Sequence, residues 1–263
     1  MQRRDVLAVI PFVTGLSMVS DAAAAEPKVP IVLVHGLHCG GWIWRYVAPF
    51  LQHAGHQVIT PTLTGTGDRA HLLSREITLE THIEDVLSVV DMLDLPRFAL
   101  VGHSYGGMVV SCVADRMRDR IAKLIYLDAL IAQPGLSAFD ILPKGMATIR
   151  RERARVGGAD VAFPVPPENA VFLPDADRKS WFMRHLRPHP VGTYETPARL
   201  ERPAGAGLSV TYIAYENPAL GSIEPSRAFA RAQPGWHYHS EAVPHDAEIV
   251  FPERVASLIT GAL

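Results

Sequence analysis

The run Phe98-Ala99-Leu100-Val101-Gly102-His103-Ser104-Tyr105-Gly106-Gly107-Met108-Val109-Val110 decides the fold. Its first four residues are apolar without alternation, which suits a strand covered on both faces, as in a parallel sheet. Met108-Val109-Val110 opens an apolar helix. Between them lies G-x-S-x-G followed by one more glycine. A serine placed between a strand and a helix in this way sits on a tight, strained turn. The turn lifts its hydroxyl out at the carboxyl end of the sheet. The glycines are needed because other backbone packs closely against such a turn.

The same rhythm extends in both directions. Ile31-Val32-Leu33-Val34 is a second unbroken apolar run. Residues 42–53 are expected as a helix closed by Gly55, 57–60 as a short strand stopped by Pro61, and 62–73 as loop. Thr78 is a good N-cap for a helix carrying Ile83, Val86, Leu87, Val90 and Leu93 at helical spacing. Residues 122–127 read as a strand. Apolar strands alternating with helices predict βαβ units and an α/β fold, a mostly parallel sheet flanked by helices.

The rhythm stops after Asp128. Residues 132–203 carry scattered prolines and are expected as an inserted cap. Their basic stretch Arg150-Arg151-Glu152-Arg153 is expected as the solvated face of a cap helix. Sheet rhythm resumes at 208–213. It is followed by a helix at 225–232, a last strand at 236–243 and a closing helix at 247–263. One domain over 26–263 is therefore expected.

The 263-residue chain has 48% hydrophobic residues and a net charge of −2, a globular composition with no positive field to attract nucleic acid. Two cysteines, Cys39 and Cys112, cannot build a disulfide framework or a multi-cysteine zinc site, and separate thiols are expected. Arg3-Arg4, a short apolar run and Ala22-Ala23-Ala24-Ala25 have the anatomy of an export address over residues 1–25. The arginine pair suits a twin-arginine signal. The expected location is periplasmic or secreted, with no integral membrane segment once the address is removed. Oligomeric state is not readable from the sequence.

A serine hydroxyl needs a base to take its proton. Of twelve histidines, His245 lies just past the last expected strand, where the base belongs in the chain order serine, acid, histidine. His237 and His239 alternate on the strand itself, and His103 is held by the turn to point elsewhere. His71 and His185 are candidates to line a pocket. Two strand ends can supply the acid, Asp128 and Glu216. Asp128 is favoured because aspartate is shorter and stiffer. Its task is to fix the imidazole tautomer and stabilise the imidazolium. Backbone N–H groups of Leu37, in the turn after the first strand, and of Tyr105 are expected to face a developing oxyanion. Both are main-chain donors, which leaves the Leu37 and Tyr105 side chains to shape the pocket. No metal and no cofactor are implied.

These motifs resemble the α/β-hydrolase superfamily, and most of all its branch of methyl esterases, hydroxynitrile lyases and related bacterial serine esterases. The residues that carry the resemblance are His35-Gly36-Leu37-His38-Cys39-Gly40-Gly41-Trp42-Ile43-Trp44, Pro61-Thr62-Leu63-Thr64-Gly65, Gly102-His103-Ser104-Tyr105-Gly106-Gly107 and His245-Asp246. The resemblance implies an α/β-hydrolase fold and cleavage of carboxylic esters through an acyl-enzyme. The lyases of this branch carry lysine where this chain has Asp246, and tend to carry threonine where it has Gly36. Both departures favour ester cleavage. A cyanohydrin or other C–C lyase, and a non-catalytic ligand-binding relative, are the rival readings. The methyl esterases usually hold their acid after the later strand, where only Glu216 stands here. Asp128 instead matches superfamily members with the acid after the earlier strand. Trp181, Phe182 and Leu142 suggest a small, largely apolar ester as substrate.

Overall fold

The computed structural model describes residues 28–263. The expected export address at 1–25 lies outside the described residues. In chain order the elements are β1 (Ile31–Val34), a 3-10 turn over Gly41–Tyr46, α1 (Ala48–His53), β2 (Val58–Ile59) and α2 (Leu79–Met92). Next come β3 (Phe98–His103), α3 (Gly106–Arg116) and β4 (Ile121–Leu127). A long excursion follows, with α4 (Ala138–Ile141), α5 (Lys144–Gly158), β5 (Ala162–Phe163), α6 (Ala176–His185), β6 (His189–Pro190) and α7 (Gly192–Glu195). The chain closes with β7 (Val210–Tyr215), α8 (Glu224–Arg231), β8 (His237–Glu241), α9 (Ala247–Val250) and α10 (Pro252–Ala262).

Six strands form one sheet in the order β2-β1-β3-β4-β7-β8, and every pairing is parallel. β5 and β6 make a separate antiparallel pair inside the excursion. Alternate strand residues feed two cores. Val32, Val34, Leu100, Leu124 and Tyr212 pack on one face with α2 and α3. Ile31, Leu33, Val101, Ile125 and Ile213 pack on the other with α1 and α10. Burial on both faces is why these strands read as unbroken apolar runs.

The chain leaves β1 outward to β2 and then crosses back to β3. The carboxyl ends of β1 and β3 therefore meet at the point where strand order reverses, which in open α/β sheets is where ligands bind. Two expected helices are broken differently from the pattern. Residues 42–53 begin as the 3-10 turn and turn α-helical only at Ala48. The closing helix divides at Phe251, next to Pro252, which has no N–H to continue a helix. The expected loop at 62–73 contains a 3-10 turn over Gly67–Leu72.

Close approach fixes the turn after β3. A Cβ at Gly106 would lie 2.6 Å from the Val34 carbonyl oxygen, and one at Gly107 would overlap the Leu130 carbonyl. Gly107→Ala is therefore expected to cost at least about 1–3 kcal/mol of overpacking strain. Gly145→Ala in α5, where nothing lies within 4 Å, is expected to be neutral or to stabilise by up to about 1 kcal/mol. Urea unfolding of the two variants beside the parent checks the contrast.

Candidate active site

Ser104 adopts φ 54°, a left-handed conformation that non-glycine residues rarely take. The surrounding backbone holds it there. Its N–H donates to the Leu127 carbonyl at 3.2 Å, and its own carbonyl accepts from the Leu130 N–H at 2.9 Å. These two bonds straddle Asp128, so one piece of backbone geometry sets both residues. Asp128 itself has φ 42°, and its N–H donates to Ile213 at 2.8 Å.

Three of the expected site residues come together as a relay. The Ser104 hydroxyl donates to His245 Nε2 at 2.9 Å. His245 Nδ1–H donates to Asp128 Oδ2 at 2.6 Å. Asp128 is fully buried, while His245 keeps a partly open face. Burial alone would lower the His245 pKa, but the hydrogen bond and charge of Asp128 outweigh it, and the net shift is upward. Glu216 lies elsewhere. It is exposed and accepts from the Ser240 hydroxyl at 3.1 Å.

The N–H groups of Leu37 and Tyr105 meet no acceptor among the described residues. Leu37 lines the cavity beside Ser104. The expectation for the Tyr105 side chain is corrected, because its ring is wholly buried and does not line the cavity. His82 Nε2–H donates to the Thr64 carbonyl at 2.9 Å, which leaves Nδ1 to accept from the Tyr105 hydroxyl at 3.0 Å. The phenol is drawn beneath the turn by a buried acceptor.

His103 stands outside the Ser104–His245–Asp128 relay, but it is among the residues lining the cavity, with its ring 4.7 Å from that of His245. Its Nε2–H donates to the His245 carbonyl at 2.8 Å and so braces the His245 backbone. Among the described residues, only His103, His245 and Asp246 bring three candidate metal-ligand atoms within 4.8 Å. His245 already spends both ring nitrogens on Ser104 and Asp128, so the trio does not offer three free donors.

One residue escaped the sequence reading. Arg227, on α8, is 1% exposed and grips the second oxygen of Asp128. Its Nε and Nη2 donate to Oδ1 at 2.9 and 2.7 Å, and Nη2 also donates to the Tyr215 carbonyl at 2.9 Å. An arginine is rarely this buried without a partner. No local signal marked Arg227 within its short helix.

The cavity above Ser104 measures about 370 Å³. Phe182 and Leu142 line it as expected, while Trp181, His71 and His185 do not. Trp181 instead packs edge-on against Trp42 at 5.4 Å. The α5 stretch is only partly the solvated face that was expected. Glu152 and Arg155 pair with each other in solvent at 2.6 Å, but Arg150 and Arg153 line the cavity. Cys39 and Cys112 are both buried and unpaired, as separate thiols.

A family profile described as the alpha/beta hydrolase fold matches residues 29–165. The chain belongs to the α/β-hydrolase fold family. It is 39% identical to the carbendazim hydrolyzing esterase of Nocardioides sp. (strain SG-4G), over 88% of this chain and 98% of that one. It is 34% identical to the pyrethroid hydrolase of Sphingobium wenxiniae, over 41% of this chain and 38% of that one. The fold matches an extracellular α/β-hydrolase from a Paenibacillus species with a TM-score of 0.74 at 20% identity, over 89% and 99% of the two chains. With these relatives, the α/β-hydrolase is an enzyme of the ester-hydrolase class. Among the described residues no helix is long and apolar enough to cross a membrane.

Arg227→Met leaves a buried carboxylate without its cation. It is expected to destabilise this α/β-hydrolase by about 3–5 kcal/mol, while Asp128→Asn with Arg227→Met recovers much of that loss. Chemical denaturation of the two single variants and the double checks this.

Proposed function

We propose that this chain hydrolyses carboxylic esters of small, largely apolar molecules through a serine acyl-enzyme. The observation that carries the reading is the continuous relay Ser104 Oγ to His245 Nε2 at 2.9 Å and His245 Nδ1 to Asp128 at 2.6 Å. In this reading His245 takes the hydroxyl proton as Ser104 Oγ bonds to the ester carbonyl carbon. The carbonyl oxygen becomes an oxyanion facing the Leu37 and Tyr105 N–H groups. His245 then gives its proton to the departing alcohol as the C–O bond breaks. Water, deprotonated in turn by His245, attacks the acyl-enzyme and releases the carboxylic acid and free Ser104. Asp128 holds Nδ1 protonated, so Nε2 is free to accept.

Asp246 supports ester cleavage over the lyase reading, because it sets a carboxylate, not a cation, beside the base. A leaving cyanide gains nothing from a carboxylate. The relay also weighs against a purely binding role, since all three side chains are within hydrogen-bond reach in the order the chemistry needs.

Ser104→Ala is expected to abolish labelling by a fluorophosphonate and to lower kcat on p-nitrophenyl acetate by on the order of 10⁶. Asp128→Asn is expected to cost on the order of 10⁴ in kcat, and Glu216→Gln little. A full loss confined to the Glu216 variant would refute Asp128 as the acid. The pH profile follows from the sign of the shift at His245. The base works only when neutral, and its pKa is raised above the ordinary 6.5 by Asp128. Activity should therefore fall as pH drops through a value above 6.5. In Asp128→Asn that acid limb should move to lower pH. Stopped-flow rates across the pH range decide it.

We further propose that residues 1–25 direct export, supported by the Arg3-Arg4 pair and the run of alanines at 22–25. Replacing both arginines with lysine is expected to leave the chain inside the cell. Fractionation of cells expressing the full chain measures it.

A further inference from the structure

The cavity wall carries a charge pattern that cleavage of a neutral ester does not use. Arg150 and Arg153 stand three residues apart on α5, and both line the cavity that opens over Ser104. Among the described residues neither has a carboxylate within 4 Å. Other cations of this region are engaged: Arg155 pairs with Glu152 at 2.6 Å, and Arg151 lies 3.8 Å over the Phe139 ring. Arg150 is held in place by aromatic contacts. Its guanidinium lies 5.5 Å over Tyr194, and Nη1 donates to the Tyr194 hydroxyl at 3.4 Å. Arg153 is exposed, so the pair spans from the half-buried wall toward solvent.

The remaining wall is mostly apolar, with Phe163, Phe182, Leu142 and Val171 among its residues. The one carboxylate lining the cavity is Asp246, and it lies at the reacting end, within 4.8 Å of the His245 ring. The cavity is therefore polar along its length, with one carboxylate at the reacting end and two cations on α5. The same two cations reach His38, beside the oxyanion turn. Burial first, and then their charges, hold its imidazole down at about 4, so it is neutral at working pH. A planar guanidinium fork matches a carboxylate in two parallel hydrogen bonds. An anionic substrate group would supply the counter-ion that the wall lacks.

Resting on the ester-hydrolase reading above, we propose that the preferred substrates are esters with an apolar body and a carboxylate at the end remote from the ester bond, bound by Arg150 and Arg153. A half-ester of a dicarboxylic acid is the simplest member of this class. The Asp246 charge near His245 repels that carboxylate from the reacting end and so favours the productive orientation. This refines the expectation of a small, largely apolar ester: the apolar wall takes the body, and α5 takes the charge.

The test compares monomethyl adipate with methyl hexanoate, which are close in length and differ in the terminal anion. The readout is the ratio of their kcat/KM values. The parent enzyme is expected to favour the half-ester. The Arg150→Gln, Arg153→Gln double variant is expected to lower that ratio roughly 10- to 100-fold. Arg151→Gln, which removes a nearby charge outside the cavity, serves as the control and should leave the ratio in place. A parent ratio near one that the double variant does not change overturns the proposal. Binding separates this outcome from failure of the hydrolase reading. Calorimetry of monomethyl adipate on Ser104→Ala, with and without the two arginine substitutions, needs no turnover. Weaker binding by tenfold or more in the triple variant upholds the anion site even if no ester is cleaved, and equal binding sinks it.

Discussion

Asp128 is the carboxylate on which both the site and its scaffold depend. It is wholly buried, and each of its oxygens has a separate duty. Oδ2 accepts from His245, and Oδ1 accepts the Arg227 fork and, at 3.3 Å, the Tyr215 N–H. A charge at this depth is costly unless it is paired and hydrogen-bonded. Arg227 supplies the pairing and joins the ends of β4 and β7 through α8. It also lowers the proton affinity of His245 by its own charge. The His245 pKa is thus raised by Asp128 and Asp246 and restrained by Arg227. Its pKa is a balance in which burial and Arg227 pull down while Asp128 and Asp246 pull up, with a net rise.

The parts of this arrangement that sequence could reveal are those set by local sterics. Gly102, Gly106 and Gly107 are glycines because backbone passes where a Cβ would sit, and that requirement lies within a few residues of Ser104. His245 was legible because it follows directly on a strand pattern. The proposed acid was legible only as a choice between two strand ends. Asp128 and Glu216 differ in burial, and burial depends on how α8 packs across the sheet. Arg227 sits 99 residues from its partner on a helix of two turns, and nothing local distinguishes it from the solvated arginines around it.

The excursion between β4 and β7 was the least legible part for a related reason. Its elements are short, and their apolar residues face partners from distant segments. Tyr194 meets Tyr105, Phe139 and Phe163, for example. No single period survives such packing. Arg150 and Arg153 share a helix face by their spacing. Whether that face meets solvent or a cavity depends on how α5 docks, which periodicity cannot give.

The excursion and the turn after β1 are also physically joined. His38 takes a left-handed φ of 66°, immediately after Leu37. Its carbonyl accepts from the Arg187 N–H at 3.0 Å, and its Nδ1–H donates back to the Arg187 carbonyl at 3.0 Å. This reciprocal pair pins the turn after β1 to the segment between α6 and β6. The Leu37 N–H is therefore held in place by the same segment that lines the cavity through Leu186. A substitution that shifts this segment moves the wall and the N–H together. The cavity wall and the Leu37 N–H proposed to face an oxyanion are coupled through one buried histidine, whose pKa burial lowers to about 4.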